Sequence, residues 1–147
     1  MGQVTASRTI EAPVELVFKT VAHVEEFSKA IPHILNIEFL SDSRTGVGAR
    51  FRETRLVNEK EATTELEVTE YVENEQVRIV SDTHGTVWDT LFTVRAQNGN
   101  TLLEMVMDVR PHSFLARLTT PFITGMIAEA IEGDLDSVKA FCESRAA

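Results

Sequence analysis

The sequence has a single cysteine, few aromatic residues and no long apolar run. Cys142 stands alone, so no intrachain disulfide can form, which favours a reducing compartment and predicts a cytoplasmic protein. No apolar stretch approaches the roughly 18 residues of a membrane-spanning helix, so we expect no stable membrane insertion. The opening residues "MGQVTASRTI" lack the basic and apolar segments of a signal peptide, and we expect none.

Positive charge is also scarce. The 147-residue chain has 14 Lys and Arg against 23 Asp and Glu, and this net charge of −9 disfavours nucleic acid because phosphates are repelled. The histidines His23, His33, His84 and His112 show none of the spacings of a zinc site. The sequence lacks a nucleophile elbow, a phosphate-binding loop and a dinucleotide fingerprint. We therefore predict neither a metal nor a cofactor.

Enough apolar sequence is present, at 43% of residues, for one folded domain over residues 1–147. Residues 3–12 alternate between apolar and polar as a first strand does. Pro13 then suits the first turn of a helix. A joint at residues 23–26 precedes a second short helix, which ends before Pro32 because the residue ahead of a proline avoids helical geometry.

The middle of the chain predicts a meander of about six antiparallel strands, best defined around "QNGN". An Asn-Gly turn at residues 98–99 is the strongest short hairpin signal, and it pairs Phe92 with Met105. The other predicted pairs on that face are Val94 with Leu103, Thr90 with Met107 and Trp88 with Val109. Large apolar side chains then share one face, which supports the register. The same register sets Asp89 opposite Asp108, an unfavourable pair that the sequence does not explain.

Two further turns are predicted without an Asn-Gly signal, at residues 59–60 and 74–75. The pairs that follow are Phe51 with Val68, Glu53 with Leu66, Arg55 with Thr64, Val72 with Val77 and Glu70 with Ile79. Both registers place Glu53, Arg55 and Glu70 on an otherwise apolar face. Charged groups in such a place are costly unless they are paired or hydrated, so these residues are candidates for a site.

The end of the chain predicts one long helix that starts at the cap-like pair "TP", residues 120–121. Apolar residues recur every three or four positions from Ile123 to Cys142, and Cys142 is predicted to be a small core residue. The helix would have about 25 residues and be roughly 37 Å long, enough to cross the whole sheet.

This order of elements resembles a known superfamily. The segments "IEAPVELVFKTVAHVEEFSKAIPHI", "GVGARFRETR", "EVTEYVENEQVRI" and "GNTLLEMVMDV" are similar to the START-like (SRPBCC) superfamily and, within it, to the polyketide cyclase/dehydrase and lipid-transport family. The resemblance covers nearly the whole chain. It implies an α+β helix-grip fold: a curved antiparallel sheet of about seven strands around a long C-terminal helix, with two short helices after the first strand. In that fold an apolar ligand commonly lies between sheet and helix.

The candidate ligand-binding residues lie on the apolar face and on the long helix. They are Phe51, Glu53, Arg55, Leu66, Val68, Trp88, Phe92, Met105, Met107, Phe122 and Met126. Pockets of this kind are mainly apolar with a few placed polar groups. We therefore predict binding of a small hydrophobic or aromatic ligand, with no catalytic residue assigned.

Other functions stay open at this stage. One alternative is an enzyme of the polyketide cyclase or dehydratase type, with Glu53, Arg55 or His84 as acid/base groups. A second is a coenzyme Q-binding or protein-interaction member of the same fold. The sequence names no ligand, and it leaves a homodimer open.

Overall fold

The chain forms one antiparallel sheet of seven strands with a long C-terminal helix, which confirms the predicted helix-grip fold. A computed structural model describes residues 2–147 and, at Phe122, the backbone alone. The elements are β1 (Gly2–Ile10), α1 (Val14–Ala22), α2 (Val24–Ala30), β2 (Ile34–Phe39), β3 (Arg50–Val57), β4 (Lys60–Val72), β5 (Gln76–Thr83), β6 (Thr86–Gln97), β7 (Asn100–Pro111) and α3 (Phe114–Ala146). The strand order is β1-β7-β6-β5-β4-β3-β2, so the meander β2 to β7 is extended by β1 at its far end.

The core lies where the inner face of the sheet meets α3. The helix packs mainly on β1 and also touches β7, α1 and α2. Its buried side is formed by Ile131, Leu135, Val138 and Cys142, which repeat every three or four residues. The strands add the fully buried Ile10, Val77, Leu103 and Val109. Truncating one buried leucine of this kind to alanine typically costs about 2–5 kcal/mol.

The β6–β7 register is the predicted one, including the opposed pair Asp89 and Asp108. Two arginines explain why the pair is tolerated. Arg110 lies 3.1 Å from Asp89 and 3.7 Å from Asp108, and Arg78 lies 2.7 Å from Asp89. Burial opposes ionisation of Asp89, but the hydrogen bonds from Arg78 and Arg110 outweigh it and lower the pKa of Asp89.

The predicted β3–β4 register is wrong by two residues. Phe51 faces Leu66 rather than Val68, because the turn residues are Asn58 and Glu59. Both have positive φ, 50° and 66°, the geometry of a tight hairpin turn that asparagine tolerates well. A slip of two residues leaves every side chain on its predicted face.

The predicted β4–β5 register is also wrong, and here the faces change. The ladder is irregular between Val68 and Glu70, which reverses the alternation that follows. Tyr71 therefore faces Val77, and Val72 turns outward with 44% of its surface exposed. Glu70 pairs with Arg78 on the outer face instead of lying opposite Ile79.

The C-terminal helix starts earlier than predicted. It begins at Phe114, where the Ser113 side chain accepts a hydrogen bond from the Ala116 N–H. Thr120 is therefore no cap, and its hydroxyl donates to the Ala116 carbonyl. Pro121 lies inside the helix, and the axis bends by 65° between Phe114–Pro121 and Ile123–Ala146.

No single helix in residues 2–147 is both long and apolar enough to cross a membrane. Only the two arms of the bent α3, counted together, reach that length and composition. Much of the longer arm is committed to the core, since Ile131, Leu135, Val138 and Cys142 are buried.

Candidate functional site

The predicted site residues on the strands all share the inner face of the sheet. Phe51, Val68, Phe92 and Met105 are buried, whereas Glu53, Arg55, Leu66, Trp88 and Met107 are only partly covered. Two predicted residues lie on α3. Met126 points outward with 54% of its surface exposed, and the side chain of Phe122 lies outside what the structure describes. Five of the predicted side chains on the inner face thus keep some exposure to solvent.

An ion cluster crosses from the sheet to the helix at Arg55. Its Nη1 lies 2.9 and 3.2 Å from the two carboxylate oxygens of Asp134 on α3. Its Nε lies 3.5 Å from Oε2 of Glu53, two residues earlier on β3. The side chains of Arg55, Glu53 and Asp134 retain only 22%, 15% and 13% of their exposure. Strand alternation turns the first two inward, and the helix supplies the third.

Burial governs the protonation of this ion cluster. It raises the pKa of Glu53 and of Asp134, and attraction to Arg55 offsets only part of that effect. Burial also opposes the charge of Arg55, yet the two carboxylates outweigh it and raise the pKa of the guanidinium further. Arg55 thus stays charged, while the carboxylates hold protons more readily than in water.

Within the part of the chain that the structure describes, one hydrogen-bond donor of Arg55 has no acceptor. The Nε atom is buried, and among residues 2–147 no oxygen accepts its hydrogen with acceptable geometry. The nearby Glu53 oxygen satisfies the distance of an ion pair but not the geometry of a hydrogen bond. A buried donor left unpaired costs about 1–3 kcal/mol.

A second polar contact, between His23 and Tyr71, was missed by sequence reasoning. The Tyr71 hydroxyl lies 3.1 Å from Nε2 of His23, at the joint between α1 and α2, and the ring of Phe18 meets Tyr71 edge-on at 5.3 Å. Burial, helped by nearby Lys19, lowers the pKa of His23. Tyr71 could have been found only by recognising the irregularity after Val68.

Asp134 was also missed, although the sequence carried a signal. It follows Ile131 by three positions and precedes Leu135, so helical spacing sets it at the edge of the apolar stripe. An acidic residue at the edge of a buried stripe needs a cation on the facing strand, and the inward-facing Arg55 was already a candidate. The alternation of β3 and the spacing of α3 together would have predicted the pair.

The histidines give no support to a metal or to a loop catalyst. His84 is exposed at a turn with φ of 54°, and His112 forms an exposed contact of 2.8 Å with Asp82. In the part of the chain that the structure describes, no three His, Cys, Asp or Glu side chains are grouped as metal ligands.

Two surface clefts lie at the edges of the sheet. One, of about 440 Å³, lies between α2 and β2 and is lined by Glu25, Ser28, Lys29, Ile37, Phe39 and Arg44. The other, of about 490 Å³, lies along β1 and β7 and includes Arg8, Met105 and Glu132. Both are lined largely by polar side chains, and neither includes the Arg55 cluster. They differ from the mainly apolar surroundings that suit a small hydrophobic ligand.

The chain belongs to the polyketide cyclase/dehydrase and lipid transport family, whose sequence profile matches residues 1–143. No curated protein sequence matches it significantly. Solved structures share the fold. The protein TTHA0849 from Thermus thermophilus is 15% identical with a TM-score of 0.81, over 99% of this chain and 100% of that one.

Two further solved structures share the fold. A START superfamily protein from Mycobacterium smegmatis is 17% identical with a TM-score of 0.71, over 98% of this chain and 96% of that one. The di-domain ARO/CYC StfQ of the steffimycin biosynthetic pathway is 13% identical with a TM-score of 0.77, over 98% of this chain and 52% of that one. Family and fold together indicate ligand binding or polyketide cyclase-type activity.

Proposed function

We propose that the protein binds a small apolar or aromatic molecule between the inner face of the sheet and α3, with Arg55 as its polar anchor. The observation that carries this proposal is the buried Nε of Arg55, which has no acceptor among the described residues. A ligand oxygen placed there would satisfy a donor whose burial is otherwise costly. The partly covered Leu66, Trp88 and Met107 supply apolar surface on the same face.

These types of side chain suit a site that accepts ligands of different shapes. Trp88 offers a broad flat surface, and Met107 has a flexible, polarisable side chain that adapts to its neighbours. Neither is fully buried, in contrast to Phe92 and Met105 next to them. Closing a ligand over these two side chains would bury surface that the protein alone leaves accessible.

The first experiment is native mass spectrometry of freshly purified protein, repeated after denaturing extraction. A small-molecule adduct supports binding and gives its chemical class. Titration with the neutral aromatic probe N-phenyl-1-naphthylamine then reports affinity through Trp88, the only tryptophan. The proposal fails if no adduct appears and the probe does not saturate.

A pair of variants on β7 tests the location of the site. Met107 faces inward, and the next residue, Val106, faces outward. We expect Met107→Ser to weaken probe binding about tenfold, since losing about 1.4 kcal/mol of apolar contact corresponds to that factor. Val106→Ser should leave the affinity unchanged. Equal effects of the two variants would contradict a site on the inner face.

Cyclase or dehydratase chemistry is the second candidate, and one observation favours it. Glu53 is a buried carboxyl whose pKa is raised mainly by burial, so it keeps its proton to a higher pH than in water, as a general acid must. The fold shared with StfQ is compatible with this reading. If it holds, Glu53→Gln should abolish turnover of a β-keto thioester while probe binding survives. Unchanged turnover would remove Glu53 from the reaction.

We infer a cytoplasmic setting and no nucleic-acid partner, in line with the expectations from the sequence. The single cysteine is a buried free thiol, which suits a reducing compartment. The net charge of −9 opposes contact with phosphate backbones. Retention on a nucleic-acid column at physiological salt would contradict the second inference.

A further inference from the structure

The first arm of α3 presents large apolar side chains to solvent. Phe114 is 78% exposed, Leu115 is 70% exposed and Leu118 is 53% exposed. Residues at positions i, i+1 and i+4 of a helix lie on one side, so these three form a continuous surface. A contiguous exposed apolar patch of this kind usually marks an interaction site.

This arm is held firmly in place by its opposite side. The Gly85 carbonyl accepts hydrogen bonds from the backbone N–H groups of His112, at 2.7 Å, and Ser113, at 3.2 Å. Ala116 and Thr120 are buried at 6% and 3% exposure. The helix therefore has a buried small-residue side and an exposed bulky side.

The charges around this arm differ from those of the rest of the chain. Of the 23 acidic residues, none lies between Asp108 and Glu129, a stretch that contains Arg110, His112 and Arg117. Arg110 is already paired with Asp89. Arg117 is exposed, and no carboxylate of residues 2–147 lies within 4.0 Å of its guanidinium. The first arm thus combines apolar side chains with an available cation.

We propose that this docking face, made of Phe114, Leu115, Arg117 and Leu118, lies on the surface of a phospholipid bilayer. An amphipathic helix binds a bilayer by burying its apolar side at the acyl boundary, while its cation reaches the phosphate level. The 65° bend at Pro121 turns this arm away from the line of the rest of α3.

A second copy of the chain fits the docking face less well. A two-fold contact between copies would bring the two Arg117 side chains toward each other. Contact with an acidic region of another copy would instead bury charged groups against apolar side chains, which is costly. Phosphates beside acyl chains match both parts of the face.

The test is co-sedimentation with sucrose-loaded phosphatidylcholine vesicles. Leu115→Ser/Leu118→Ser should lower the partition coefficient about tenfold, because two side chains lose their apolar contact with the acyl boundary. The matched control is Val47→Ser in the loop before β3, since Val47 is 64% exposed but outside the docking face. This control should partition like the wild type. All three affected side chains are exposed, so circular dichroism melts should agree among the proteins.

The proposal is overturned if the wild type does not partition, or if the double variant partitions equally well. It is also overturned if light scattering shows that the wild type is a dimer and the double variant a monomer. The docking face would then be the contact between two copies of the chain. Binding of the aromatic probe near Trp88 is measured separately from binding to vesicles. A failure of the ligand proposal and a failure of the docking proposal can therefore be distinguished.

Discussion

Replacing Arg55 by methionine removes the guanidinium that lies between Glu53 and Asp134. Methionine keeps most of the apolar length of arginine, so the change is mainly one of charge. Breaking a buried ion pair on one side costs about 3–5 kcal/mol, because the remaining charge is left without compensation. The three side chains keep 13–22% of their exposure, and the raised pKa of Glu53 lets it take up a proton. We therefore expect Arg55→Met to lower the free energy of unfolding by about 3 kcal/mol, the lower end of that range.

A matched control lies three residues earlier on the same strand. Arg52 also has two carboxylate partners, Glu38 at 2.8 Å and Glu65 at 3.4 Å, but on the outer face, and its side chain is 38% exposed. Exposed ion pairs contribute little to stability, so Arg52→Met should cost clearly less than Arg55→Met. Urea unfolding of the wild type and both variants at pH 7 gives the comparison, with equal slopes required for a valid difference in free energy.

The penalty at Arg55 should also depend on pH. A carboxyl whose pKa is higher in the folded than in the unfolded protein binds its proton more tightly when folded. Its contribution to stability therefore falls as the pH rises from the unfolded pKa through the folded pKa. Arg55→Met removes the attraction that partly offsets the effect of burial on Glu53 and Asp134. The folded pKa of each carboxyl then rises further above its unfolded value. The variant should therefore lose more stability at pH 8 than at pH 5. Equal costs at Arg52 and Arg55, or a cost at Arg55 that does not grow with pH, would refute the reasoning.

Three further predictions concern other parts of the fold. Gly85→Ala should destabilise by more than about 1 kcal/mol, since its φ is 79° and a Cβ would clash with the Ser113 side chain; an unchanged urea midpoint would contradict this. Burial lowers the pKa of His23, so the wild type should lose stability as pH falls below about 6.5. His23→Gln should lose less between about pH 7.5 and 5.5, and an equal loss would place the effect elsewhere. Burial raises the pKa of the Cys142 thiol, so a thiol reagent should label it only in urea; rapid labelling of the native protein would argue against its burial.

Local signals allowed some parts of the fold to be predicted from the sequence. The β6–β7 register followed from the Asn-Gly turn and the alternation around it. The other two turns lack that dipeptide, and left-handed Asn58, Glu59 and Asn74 mark them only in the structure. A turn misplaced by one residue shifts the register by two and preserves the faces, which is why Phe51 remained inward. An irregularity inside β4 reverses the faces, and the sequence alone does not reveal it.

The difference between local signals and tertiary contacts also explains which residues of the candidate site could be predicted. Glu53 and Arg55 were found because alternation along β3 survives a slip of two residues. Their third partner, Asp134, comes from a helix 79 residues away from Arg55, and the contact depends on how α3 crosses the sheet. Met126 was placed inward by its spacing from Ile123, but 3.6 residues per turn set it about 140° around the helix from Ile131, away from the buried stripe. The stripe that packs on the sheet is fixed by the tertiary contacts of α3, which the spacing near Ile123 does not reveal.

In the proposed site, the charge balance of the Arg55 cluster also limits the kind of ligand. One guanidinium faces two carboxylates, so the ion cluster carries a net negative charge whenever Glu53 and Asp134 are both ionised. An anionic headgroup would add another negative charge at a place where burial already opposes ionisation of the carboxylates. A neutral oxygen, such as that of a ketone or an alcohol, accepts from Nε of Arg55 without adding charge. In the proposed site, the two carboxylates beside Arg55 therefore favour neutral oxygen-bearing ligands over fatty-acid carboxylates.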